Sequence, residues 1–84
     1  MKSMFEEFNK TLRAKLISLY ESFIQNSQSE KIRENAATIT QKYANSGSHV
    51  STELARALEK AYEIELGNLS TEEAKKILED LHKS

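Results

Sequence analysis

No proline interrupts the 84 residues, and the chain has only two glycines, Gly47 and Gly67. Proline is the residue that most firmly stops a helix, because it removes an amide donor and clashes with the preceding turn. Its absence leaves long windows in which helix is locally allowed. Within those windows the apolar residues recur at spacings of three and four, the period of one helical face. Over residues 2–25 the stripe runs Phe5, Phe8, Leu12, Leu16, Leu19, Tyr20 and Phe23, widened by Met4, Ile17 and Ile24. This predicts a long amphipathic helix whose apolar face is broad enough to meet two neighbours. Phe8 and Phe23 are expected in the core. Phe5 belongs either there or, with Met4, to an exposed apolar patch near the terminus.

Polar residues then break the pattern. Gln25-Asn26-Ser27-Gln28-Ser29 offers side chains that compete for backbone hydrogen bonds. Ser27 followed by Glu30 has the spacing of a helix cap, with Ser29 as a competitor, and a second helix is predicted over about residues 28–43. Its apolar set, Ile32, Ala36, Ile39 and Tyr43, is narrow, so this element should bury the least and open first. Asn45-Ser46-Gly47-Ser48 reads as a turn. A third helix over about residues 50–66, capped by Ser48 or Ser51, carries Val50, Leu54, Leu58, Ala61 and Tyr62, with Ile64 and Leu66 near its end. Gly67 and Asn68 suit a left-handed C-terminal cap.

The last start signal is the sharpest. In Leu69-Ser70-Thr71-Glu72-Glu73, the Ser70 hydroxyl can accept from the Glu73 amide and the Glu73 carboxylate from the Ser70 amide. Leu69 can pack on Ala74 just outside that box. A fourth helix over about residues 71–82 follows, with Ala74, Ile77, Leu78 and Leu81 on one face. Only residues 67–69 join it to the third, so those two helices should be antiparallel neighbours or cross sharply. The expectation is all-α: a small antiparallel four-helix bundle forming a single domain over residues 1–84.

Composition narrows the function classes. With 38% hydrophobic and 30% charged residues, the chain is globular in character rather than disordered. It has no cysteine, so neither a disulfide nor a thiolate metal site can add stability. Apolar runs of a few residues fall far short of the roughly 20 needed to cross a bilayer. Met1-Lys2-Ser3-Met4-Phe5 leads into Glu6 and Glu7 rather than an apolar segment, so a cytoplasmic location is expected. The net charge of -1 is unevenly divided. Residues 1–45 hold seven Lys or Arg against five Glu, and residues 46–84 hold five against eight Glu or Asp. Such an asymmetry can act within the fold or orient the protein on a partner.

Catalytic chemistry is not assembled in the sequence. His49 and His82 stand apart with no third nitrogen or sulfur ligand, and the pairs Glu6-Glu7, Glu72-Glu73 and Glu79-Asp80 are adjacent helical residues that point apart. Neither an enzyme nor a cofactor is expected. Nucleic acid is not an expected partner either, because the last helix would meet phosphates with Glu72 and Glu73 in its first turn. Lys75 and Lys76 follow too late, and Lys10, Arg13 and Lys15 on the first helix read as a solvated strip.

Leu54-x3-Leu58 through Leu66-x2-Leu69-Ser70-x-Glu72-Glu73-x3-Ile77-x3-Leu81 resembles the closing two helices of the immunity proteins that protect lactic-acid bacteria from pediocin-like, enterocin A type bacteriocins. Leu19-Tyr20 is similar to the recurring Leu-Tyr pair of that family, and the likeness spans about residues 12–82. The resemblance implies an antiparallel four-helix bundle that acts without catalysis. Such a protein would associate, inside the cell, with the bacteriocin-engaged mannose phosphotransferase permease and block the lethal opening. The outward surface of the last two helices would make the contact, which places Arg56, Lys60, Glu63, Lys75, Lys76 and Glu79 as partner-binding residues. The alternative from the residues themselves is a small helical adaptor or regulator of protein-protein interactions, either monomeric or homodimeric.

Overall fold

A computed structural model describes residues 4–45 and 50–83, without the side chains of Met4 and Phe5. The expectations for those two side chains, and for Gly47, Ser48 and His49, fall outside the described residues. Four helices form: α1 (Met4–Gln25), α2 (Glu30–Lys42), α3 (Thr52–Leu66) and α4 (Thr71–Lys83). Element number and type match the periodicity. Within the described residues, boundaries differ from expectation by one or two residues.

The α1–α2 connection is tighter than the cap spacing suggested. The Ser29 amide donates to the Asn26 carbonyl at 3.3 Å, and this turn holds residues 27 and 28 out of α2. Ser29, not Ser27, occupies the N-cap, with extended backbone and no side-chain cap bond. At α3 the cap is Ser51, whose hydroxyl accepts from the Leu54 amide at 3.3 Å. The far end of α3 closes on Gly67, at φ 77°. There the Gly67 amide donates to Ile64 O at 3.1 Å and the Asn68 amide to Glu63 O at 2.9 Å, the paired bonds of a left-handed helix stop.

Landmark contacts give the helix directions. Phe8 near the start of α1 meets Tyr43 at the end of α2, with ring centroids 5.3 Å apart at 60°, so α1 and α2 are antiparallel. Arg33, one turn into α2, lies over Gly67 at the end of α3. Lys60 of α3 reaches Glu73 in the first turn of α4 at 4.0 Å. Each helix therefore reverses the direction of the one before it, and α1 and α3 run the same way. Packing is most extensive between α2 and α3 and between α1 and α4. The three other contacting pairs, α1–α2, α1–α3 and α3–α4, are looser.

The core is one cluster drawn from all four helices. It includes Leu12, Leu16, Leu19, Tyr20 and Phe23 from α1, Ile32 and Ala36 from α2, and Leu54, Leu58 and Ile64 from α3. Leu69, Ala74, Ile77 and Leu81 close it, so both halves of the expected Leu69–Ala74 anchor are buried. Phe8 packs at the edge of the cluster rather than within it. Two other residues depart further from expectation. Tyr62 and Leu66 are about half exposed, at 52% and 51%, although they belong to the apolar set of α3. At about 100° per residue, Leu54, Leu58 and Ala61 centre the buried face, and Tyr62 and Leu66 fall to one side of it.

Tyr20 is the polar group at the centre. Its side chain is fully buried, and its hydroxyl donates to the Ala57 carbonyl in mid-α3 at 2.6 Å. Burial pushes the phenol above its ordinary value near 10, because the phenolate would have to exist without water. A second tie, from the Ser51 amide to Asn9 Oδ1 at 3.2 Å, joins the same two helices near their starts.

Tyr20→Phe should cost about 1 kcal/mol at neutral pH, read from denaturant midpoints. The raised folded-state pKa places full stability below the unfolded value near 10, with progressive loss as pH climbs above it. Tyr20→Phe should therefore flatten that alkaline decline. Gly67→Ala should cost about 1–2 kcal/mol, because an L side chain strains at that φ. Its Cβ would also lie 3.1 Å from the Arg33 guanidinium. Thermal unfolding checks the second expectation.

Candidate functional site

The charged residues implied as a contact surface all lie outside the core, on α3 and α4. On α3, Arg56, Lys60 and Glu63 follow one another at the i, i+4, i+7 spacing of one helical face. Arg56 is exposed on α3 and helps to line a groove of about 390 Å³ on the loose α3–α4 seam. Thr52 and Glu53 share that wall, and Ile77, Asp80 and Lys83 of α4 face them. Lys60 lies one turn further along α3, where Glu73 is its ion-pair partner. Glu63 is half-buried, and its carbonyl is committed to the α3 stop.

On α4, Lys75 and Lys76 are both exposed. Consecutive helical residues diverge by about 100°, so the two ammonium groups leave the helix in different directions. Lys76 points away from the core, and Lys75 sits toward one flank. Glu79 pairs with Lys83 at 3.3 Å, four residues on. Both ion pairs are solvent-exposed, and such pairs stabilise by little, ~0–1 kcal/mol. Their effect is to spread alternating charge along the α3–α4 surface rather than to fasten it.

Local sequence explains how this surface is presented. The Glu73 amide donates to Ser70 Oγ at 3.1 Å, and the Ser70 hydroxyl lies 3.4 Å from Glu73 Oε1. The expected return bond from the Glu73 carboxylate to the Ser70 amide is thus replaced by a contact to the hydroxyl. Glu73 is shared between this cap and Lys60. One carboxylate therefore lies at the start of α4 and also faces Lys60 of α3.

Sequence reasoning missed the groove partners of Arg56. Glu53 is its neighbour three residues back on α3, but Asp80 and Lys83 come from the end of α4, and only the antiparallel pairing brings them to the start of α3. The exposure of Tyr62 and Leu66 was readable in principle from their angular offset on α3. The basic residues of α1 also separate: Lys15 lines a groove beside α2, whereas Arg13 is half-buried, with its Nε shielded and unpartnered.

Among the described residues no group of three His, Cys, Asp or Glu is placed to hold a metal ion. No described helix is long and apolar enough to cross a membrane. Comparison with known proteins finds no matching family model, no similar curated protein and no similar solved structure.

Ser70→Ala removes the hydroxyl that satisfies the Glu73 amide. It should cost about 1 kcal/mol and fray the start of α4. Hydrogen exchange at the amides of residues 72–74 should quicken before exchange in the rest of the helix.

Proposed function

We propose that this is a non-catalytic immunity protein acting in the cytoplasm, one that protects its cell from a pediocin-like bacteriocin by binding the bacteriocin-engaged mannose phosphotransferase permease. The supporting observation is the α3–α4 hairpin. Its start signal, the feature on which the resemblance turns, is a built cap with Leu69 buried beneath it. The hairpin carries Arg56, Lys60, Glu63, Lys75, Lys76 and Glu79 on or toward its outer surface. Binding of this kind is stoichiometric. It needs a stable scaffold and a charged, solvated face, and no nucleophile, base or metal.

A second reading, a helical adaptor or regulator, is favoured by one specific observation. Tyr62 and Leu66 are large apolar side chains left half exposed one turn apart on α3. Tyrosine is among the residues enriched at the energetic centres of protein interfaces.

The two readings separate in a protection assay. A bacteriocin-sensitive lactic-acid bacterium expressing the protein is challenged with a panel of pediocin-like peptides and compared with an empty-vector strain. Immunity predicts selective resistance to one or a few peptides. Replacing Lys75 and Lys76 together with Glu should abolish that resistance while leaving helicity and soluble yield unchanged. No protection against a broad panel, with soluble expression confirmed, rejects immunity in favour of the adaptor.

A further inference from the structure

Two surfaces of the bundle are left unfilled, and they complement one another. The first is the loose α1–α2 seam, a groove of about 450 Å³. On α1 its lining includes the small side chains Ala14, Ser18 and Ser22, at successive turns, beside Lys15 and Leu19. Leu19 and Ile39 supply apolar surface within it, and Lys15 is its lining cation, with no carboxylate among the lining residues. On α2, Lys31 and Lys42 continue the same helical face beyond the groove's two ends by the i+4 and i+7 spacing. The second surface is the stripe on α3 that carries the exposed Tyr62 and Leu66. Glu59 precedes Tyr62 by three residues on that stripe, and Glu63 adjoins it. Across α3 as a whole, Glu53, Glu59, Glu63 and Glu65 outnumber Arg56 and Lys60, and Lys60 is engaged by Glu73.

We propose that Tyr62 and Leu66 of one copy seat in the α1–α2 groove of a second copy, with Glu59 and Glu63 facing Lys15 and the lysines at the groove ends. A recess whose one lining charge is Lys15, with apolar surface from Leu19 and Ile39, meets an acidic helix bearing two apolar projections, so charge and hydrophobic burial favour the same pairing. The two surfaces lie on different helices, and the contact is therefore head-to-tail. Every added copy leaves one free groove and one free stripe, so assembly grows as a chain or closes as a ring rather than stopping at a two-fold dimer. This inference concerns the purified chain alone and does not depend on the immunity reading.

Analytical ultracentrifugation of the full chain at low salt, from micromolar to millimolar concentration, tests it. The weight-average mass should rise from that of the 9.6 kDa monomer past that of a dimer, and added salt should reverse the rise. A groove variant, Lys15→Glu with Ser18→Glu, and a stripe variant, Tyr62→Gln with Leu66→Gln, should each need about tenfold or more higher concentration to associate. Mixed together they should form a heterodimer and nothing larger, because the stripe variant keeps an intact groove and the groove variant an intact stripe. Circular dichroism checks that each is folded. Thr38→Glu, on the opposite wall of the groove, repeats the test without altering α1. A wild-type protein that stays monomeric at millimolar concentration overturns the proposal. So does loss of association in the stripe variant alone, which would mean a two-fold contact through α3, and so does a mixture that remains monomeric.

Discussion

The hydrogen bond from the buried Tyr20 hydroxyl to the Ala57 carbonyl is the constraint around which the bundle is organised. A phenol taken out of water without a partner is expensive, so α1 can bury its apolar face only where an acceptor meets that hydroxyl. A mid-helix carbonyl is an economical acceptor, because its second lone pair is free while the first serves the helix. The bond sets the register of α1 on α3, two helices that run parallel and are not consecutive. The Asn9 tie to the Ser51 amide lies toward the starts of the same two helices and agrees with that register. With α1 and α3 fixed, α2 and α4 fill the remaining sides, and each packs most extensively on one of them.

Helix termination shows the same interplay of local and distant groups. The last turn of α3 holds no basic residue, and Glu63 and Glu65 lie close to the negative end of its dipole. The local sequence would leave that end poorly compensated. Arg33, from the start of α2, places its guanidinium over Gly67 and supplies the missing positive charge. The absence of a Cβ at Gly67 then serves twice, once for the left-handed backbone and once for the approach of Arg33. At the next helix start, Glu73 has a comparable double role, capping α4 and pairing with Lys60.

Uneven packing is what gives the surface its candidate sites. Two helix pairs are closely packed; two grooves run along the looser α1–α2 and α3–α4 seams, and a third, beside Tyr62, lies between α2 and α3. The α3–α4 groove mixes charges of both signs beside Arg56, whereas the α1–α2 groove holds only Lys15. The basic first half and acidic second half of the chain meet within the fold where Arg33 of α2 lies over the end of α3. Charge asymmetry visible in the composition acquires a direction only once the helices are placed.

Much of the fold was legible from residue order alone. The period of three and four, the lack of proline, and the caps at Ser51, Gly67 and Ser70 determine four helices and their approximate ends, because these are local effects of backbone sterics and hydrogen bonding. The start of α2 was less legible, since Ser27 and Ser29 offer equivalent cap chemistry and a turn bond to the Asn26 carbonyl decided between them. For the candidate site, sequence placed Arg56, Lys76 and Glu79 on solvent-facing positions. It could not say that Arg56 would share a groove with Asp80 and Lys83, or that Lys60 would be held by Glu73. What decided those points was which helices pack closely and which stand apart, a balance of side-chain volumes between segments distant in the chain that exists only when all four are assembled.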